Sequence, residues 1–150
     1  MNWKDEGYLI SKNNYNENSL IVIFFTKQHG CVHGIIYGGT SRKIKNYLQI
    51  GNKLDINYKS KNTNRIGYFK SEILNAIPAK YFNKRKKITA ILSATSFLKI
   101  LLAENHPYIE IFNSFENFIS NLNTNDWLFY YSKFEFSLVK PWSKKKLLLE

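Results

Sequence analysis

Apolar and polar residues alternate in short runs over the first half of the chain and recur at helical spacing over the second. Gly7-Tyr8-Leu9-Ile10-Ser11 opens a first strand, predicted from about Trp3 to Lys12, and the turn-forming residues from Asn13 to Asn18 follow as a polar loop. Two β-branched and aromatic runs, Ser19–Thr26 and Cys31–Tyr37, flank the turn Lys27-Gln28-His29-Gly30 and predict a β-hairpin. After Gly51-Asn52, the residues Leu54, Ile56 and Tyr58 alternate with polar neighbours, the period-two pattern of a half-buried strand. Lys61-Asn62-Thr63-Asn64 reads as a loop, and Ile66 to Ile77 as a fifth strand stopped by Pro78, which lacks a ladder donor. Strands this short, separated by polar turns, predict a small antiparallel barrel over residues 1–78; an OB-fold and an SH3-like barrel both fit.

The period then changes. Ile88, Ile91, Leu92, Thr95, Leu98, Leu101 and Leu102 recur at three and four and predict a helix from Lys87 that ends at Asn105-His106-Pro107. Pro107 suits the first turn of a second helix carrying Tyr108, Ile111, Phe112, Phe115, Phe118, Ile119 and Leu122. Thr124 or Asn125 is the expected N-cap of a third, Asp126 to Val139, with Trp127, Tyr131, Phe134 and Leu138 on one face. Pro141 is expected to end it, and the residues beyond read as a basic tail containing Lys144, Lys145 and Lys146. The expected fold is therefore α+β, a barrel over 1–78 and about three helices over 79–150 that pack on each other.

Charge sharpens the picture. The chain carries a formal net charge of +11 over 150 residues, a surplus that points to a polyanionic partner. Lysine and asparagine are both abundant while arginine is confined to Arg42, Arg65 and Arg85. Lysine and asparagine codons are A/T-rich, so the placement of the charge says more than its total. Cys31 is the single cysteine, which excludes an intramolecular disulfide and suits a reducing, cytoplasmic setting. The N-terminus lacks the order of a signal peptide, and no apolar run has the length of a membrane span. A soluble, cytosolic chain is expected.

Candidate chemistry follows from where the cations sit. Gly38-Gly39-Thr40-Ser41-Arg42-Lys43-Ile44-Lys45 reads as a flexible loop between two strands, with Ser41, Arg42, Lys43 and Lys45 as candidate phosphate contacts. Lys80, Lys84, Arg85, Lys86 and Lys87 crowd the barrel–helix junction with Tyr81 and Phe82 interleaved, a pattern suited to phosphates and stacked bases. Tyr37 and Tyr47 are further stacking candidates, while most of the strand aromatics, with Tyr58, Tyr68 and Phe69 in the set, are expected in the core or in cross-strand pairs. His29, Cys31 and His33 sit at i, i+2 and i+4, yet no fourth ligand is apparent, so no metal or other cofactor is expected. The acidic residues are scattered, Asp5 and Glu6 point to opposite faces of a strand, and no phosphate-loop or catalytic-triad signature occurs. The aromatic helices offer a groove for a partner's tail, with Lys99 or Lys133 to grip a carboxylate.

In order along the chain, Glu6-Gly7, Glu17-Asn18-Ser19-Leu20-Ile21-Val22, Phe25-Thr26-Lys27-Gln28-His29-Gly30, Gly38-Gly39-Thr40-Ser41-Arg42 and Leu48-Gln49-Ile50-Gly51-Asn52 form a set that resembles the bacterial RecO family of recombination mediators. The resemblance implies an N-terminal OB-fold, a helical C-terminal domain and no bond-breaking activity. It implies binding to single- and double-stranded DNA, strand annealing, and partnership with RecR, with the single-strand-binding protein's acidic tail and, through them, with RecA loading. It also implies a bacterial cytoplasmic, nucleoid-associated protein. Family members continue well past residue 150, some with a four-cysteine zinc module, so the helical domain is expected to be partial. Two further readings stand beside the mediator: an adaptor that docks RecR or the single-strand-binding protein with weak or lost DNA binding, and an enzyme of unknown type, which needs a cleft of titratable groups.

Overall fold

The computed structural model describes residues 1–62 and 65–149, with side chains as far as Lys140. The end of the expected 61–64 loop and the Lys144–Lys146 side chains lie outside the described residues. Two compact units emerge, residues 1–107 and 108–150.

The first unit is built on five strands, β1 (Asn2–Asn16), β2 (Ser19–Thr26), β3 (Gly30–Tyr37), β4 (Lys53–Lys59) and β5 (Gly67–Asn75). They close a barrel in the order β1-β2-β3-β5-β4. β1 serves two partners: its first half pairs with β4 (Asn2↔Lys59 to Tyr8↔Lys53), and its second half pairs with β2. The register shift between Leu9 and Ser11 is a bulge, the local bend that lets one strand turn from one sheet into the next. β1 is longer than the alternation predicts, because Asn13 to Asn16 pair with β2 and only Glu17-Asn18 turn. Thr26 fixes the hairpin turn: its hydroxyl donates to the Gly30 carbonyl (2.8 Å) and accepts from the His29 N–H (3.0 Å).

Closure depends on two glycines. β3 and β5 pair in parallel only at Gly34↔Gly67 and Ile35↔Tyr68. A Cβ on Gly34 would run into the Phe69 ring, and one on Gly67 into the Tyr58 ring, so bare backbone is what lets the two strands meet. Leu9, Val22, Phe24, Val32, Leu54, Ile56 and Phe69 fill the interior, with Leu48 fully buried among them. A helix between β3 and β4, α1 (Arg42–Tyr47), packs Ile44 and Tyr47 against that core. The architecture is that of the OB-fold.

A 3-10 turn at Pro78–Tyr81 and α2 (Arg85–Leu101) complete the unit. The compact unit therefore runs past the boundary expected near residue 78. α2 buries Ala90, Ile91, Ala94, Thr95 and Leu98, while Leu92 and Leu101, assigned to its apolar stripe, are exposed. Two small alanines replace them on the buried face, which a stripe of large residues alone does not reveal.

The second unit is a pair of helices, α3 (Ile109–Ser120) and α4 (Trp127–Leu149). The predicted faces hold here: Ile111, Phe112, Phe115, Phe118, Ile119 and Leu122 are buried with Phe134 and Leu138. Phe115 meets Phe134 edge-on with centroids 5.4 Å apart, and Phe118 lies at 6.1 Å from it. Three helix ends differ from expectation, the first being that of α2, which stops at Leu101 rather than at Asn105. α3 begins at Ile109 rather than at Pro107, and α4 passes through Pro141 to Leu149 instead of stopping there. No helix among the described residues is long and apolar enough to cross a membrane.

Candidate nucleic-acid interface

The stretch expected to be a flexible loop after β3 is instead the helix α1. Gly38, at φ +70°, reverses the chain, and its carbonyl accepts from the Ser41 N–H at 3.0 Å. Ser41 then caps the helix, its hydroxyl accepting from the Ile44 N–H at 3.3 Å. Ile44, Tyr47 and Leu48 fall at helical spacing from that cap, a signal outweighed in the sequence by the two glycines. Six residues do not hold a helix on their own, so its end is pinned from outside. The Lys12 ammonium donates to the Leu48 carbonyl (2.7 Å), and the Asn52 amide donates to the Tyr47 carbonyl (2.9 Å). On this rigid mount Ser41, Arg42, Lys43 and Lys45 are all exposed.

Beside α1 lies a cleft of about 300 Å³, lined by Lys12, Asn13, Asn14, Leu20, Gly39, Thr40 and Lys45. Two ammonium groups, two carboxamides and a hydroxyl line it, and among the described residues no carboxylate does. Its chemistry is that of an anion site: point charges of one sign with neutral donors around them. Lys12, Asn13 and Asn14 are functional candidates that charge and spacing along the chain do not single out, whereas Thr40 belongs to the predicted stretch itself. Asn13 and Asn14 have the composition of turn residues, although their place on β1 opposite Ile21 and Leu20 faces them with the hairpin.

The second cation cluster stands on the 3-10 turn and the first turn of α2. Lys84, Arg85 and Lys86 are exposed, and the Lys80 ammonium donates to the Asn75 side-chain oxygen at 2.7 Å. Tyr81 is partly covered, burial pushes its phenol above the usual value, and the Lys87 ammonium lies 5.5 Å from its ring centroid. Phe82 is 82% exposed. α2 has no side-chain cap and no acidic residue in its first turn, so lysine and arginine crowd the positive end of the helix dipole. That arrangement is unfavourable in isolation and relieved by an anion. Asn52 joins the two clusters structurally: while its Nδ2 holds the end of α1, its Oδ1 accepts from the Ile77 N–H (3.0 Å) just ahead of the 3-10 turn.

The aromatic candidates separate. Tyr37 is 61% exposed at the end of β3, and Tyr47 is half-buried on α1 with its hydroxyl donating to the Ser71 carbonyl (3.3 Å). Phe69 is core and cannot stack on a ligand. Tyr58 stacks on Trp3 (4.8 Å), which stacks on His29 (3.8 Å, 7° between planes), and the Asp5 carboxylate accepts from His29 at 2.7 Å. Tyr68 tilts against Tyr37.

His29, Cys31 and His33 do not converge. Cys31 is buried, and burial, aided by the Glu104 carboxylate, pushes its thiol up to about 12. His33 Nδ1 comes within 3.0 Å of Glu104 Oε1 without the alignment of a hydrogen bond. Among the described residues no group of three His, Cys, Asp or Glu side chains is placed to hold a metal. Lys99 is exposed on α2 in the first unit, and Lys133 stands on α4 in the second. The latter lies 4.9 Å from the Phe129 ring centroid, in a groove of about 630 Å³ that also holds Phe136, Lys140 and Glu110.

The family described as recombination protein O, N terminal, matches residues 1–77. Over 141 residues the chain is 31% identical to the DNA repair protein RecO of Wolbachia sp. subsp. Drosophila simulans (strain wRi), covering 93% of this chain and 58% of that relative. It is 31% identical over 139 residues to the RecO of Rickettsia africae (strain ESF-5) and 27% over 141 residues to that of Ruegeria sp. (strain TM1040), with the same coverage. The chain thus spans somewhat over half the length of the curated relatives it matches.

Proposed function

The chain belongs to the recombination protein O family, and on that premise we propose that it is a DNA repair and recombination mediator that binds single- and double-stranded DNA through the phosphate backbone. The observation that carries this reading is the cleft beside α1, where Lys12 and Lys45 meet with no carboxylate among the described lining residues and Arg42 and Lys43 stand exposed next to it. Cations on a rigid mount neutralise phosphates and release counterions without reading base sequence. Two strands whose repulsion is screened in this way come together more readily, so annealing is the activity that follows. Lys80, Lys84, Arg85, Lys86 and Lys87 offer a second set of cations, and Tyr81 and Phe82 supply faces for bases. The protein makes and breaks no bonds, needs no cofactor, and works in the bacterial cytoplasm on the nucleoid with RecR and the single-strand-binding protein to load RecA.

The test is annealing of two complementary labelled strands. The chain is expected to speed it well above the spontaneous rate and to leave both strands intact. An annealing rate unchanged by the protein overturns the mediator reading.

A second reading, an adaptor with weak DNA binding, draws on the second unit. The groove holding Phe129, Phe136, Lys133 and Lys140 pairs exposed aromatic surface with ammonium groups. Its chemistry fits an apolar segment ending in carboxylates, as the tail of the single-strand-binding protein does. Capture of that tail peptide by a chain that does not retain DNA favours the adaptor.

A further inference from the structure

The closure of the barrel leaves a gap. After Gly34↔Gly67 and Ile35↔Tyr68, β3 and β5 form no further pairs. Between them opens a cleft of about 570 Å³, within the range of small-ligand sites. Ile36, Ile44 and Phe69 give it an apolar lining, and Tyr37 and Tyr47 add aromatic rings. Ser71 is also part of the lining, and its hydroxyl is buried without a hydrogen-bond partner. A buried hydroxyl left unpaired is costly, and a ligand's polar edge would satisfy it.

The charge here differs from that of the Lys12–Lys45 cleft. Lys4 and Lys70 are balanced by Asp55 and Glu72, so the gap is no anion site. Aromatic rings, an apolar floor and one orphaned hydroxyl suit a flat, heteroaromatic group with hydrogen-bonding edges. Both clefts border the same short helix: Lys45 lines one, while Ile44 and Tyr47, about 100° and 160° away around the axis, line the other. A helix is roughly 10–12 Å across with its side chains, so the two clefts are within reach of neighbouring nucleotides.

We propose that the gap between β3 and β5 is a nucleobase pocket, with Tyr37 as its stacking face and Ser71 as its polar contact, receiving a base of a single strand whose phosphates occupy the Lys12–Lys45 cleft. This rests on the backbone-binding reading above and adds to it an interaction that duplex DNA, with its bases paired, does not offer.

The experiment compares two probes with the same phosphates, a thymidine homopolymer about 20 nucleotides long and an abasic strand of equal length, titrated against the full chain at low salt. The chain is expected to bind the base-bearing strand about tenfold more tightly, in keeping with one stacked base. Tyr37→Ala is expected to cut that preference down to what Tyr81 and Phe82 contribute while leaving the abasic affinity unchanged, and Tyr37→Phe to keep it in full. Tyr37 is 61% exposed and its ring touches Tyr68, so a native unfolding midpoint in each variant checks that the fold is kept. Equal affinity of the native chain for the two strands overturns the pocket and leaves the backbone reading standing. Full preference in Tyr37→Ala also overturns the pocket. Binding of neither strand overturns the backbone reading and the pocket with it.

Discussion

The Lys12 ammonium donates a 2.7 Å hydrogen bond to the carbonyl of Leu48, tying the second half of β1 to the residue that closes α1. One side chain thus both seats the helix and lines the cleft beside it. Lys12→Met keeps the apolar stem and removes the donor. It is expected to lower stability by about 1 kcal/mol, read as a lower urea midpoint at unchanged slope. An unchanged midpoint would mean that α1 does not depend on this bond.

Asn52 carries a heavier load. It is 3% exposed, and it serves the Tyr47 carbonyl and the Ile77 N–H at once. Asn52→Leu strands both groups, so a loss of about 3 kcal/mol is expected in thermal or chemical unfolding. A loss under about 0.5 kcal/mol would show that water replaces the amide at both places.

Gly34 faces the Phe69 ring where β3 meets β5. Gly34→Val forces a side chain into that ring and is expected to cost at least about 2 kcal/mol, or to prevent closure of the barrel. Circular dichroism and the unfolding midpoint report it; native stability in this variant would show that the strands separate freely.

The buried Cys31 thiol predicts a dependence on alkaline pH. Its folded value, about 12, lies above the ordinary 9.0, so the native chain holds this proton where the unfolded chain releases it. The associated stability is present in full below about pH 9 and declines as pH rises toward 12, at a limiting slope of about 1.4 kcal/mol per pH unit. Cys31→Ala is expected to flatten that decline in urea titrations between these values. Equal slopes in the two proteins would contradict the burial of the thiol.

Much of this fold is legible from periodicity. The hairpin Ser19–Thr26 and Gly30–Tyr37, the strand Lys53–Lys59 and the buried faces of α3 and α4 follow from alternation and from three-and-four spacing. What periodicity misses is what tertiary packing decides. α1 forms because Leu48 is buried and Lys12 and Asn52 pin its end, and neither partner belongs to the helix itself. α2 packs through Ala90 and Ala94, which carry no strong apolar signal. In the site, Ser41, Arg42, Lys43 and Lys45 are visible as charge, whereas Lys12, Asn13 and Asn14 join them only because β1 and β2 pair as far as Asn16↔Ser19.

The most direct test of the central claim, that the α1 cations engage phosphates, is the salt dependence of affinity for a labelled single strand. It is measured for the native chain and for Arg42→Ala, Lys43→Ala and Lys45→Ala combined. All three side chains are exposed, so the variant folds as the native chain does. The native chain is expected to bind at low salt and to weaken steeply as salt rises. The variant is expected to bind more weakly, with the slope of log affinity against log salt reduced by about 2, since each phosphate left without its cation removes a counterion release of roughly 0.7. Absence of binding at low salt, or an unchanged slope in the variant, would contradict it.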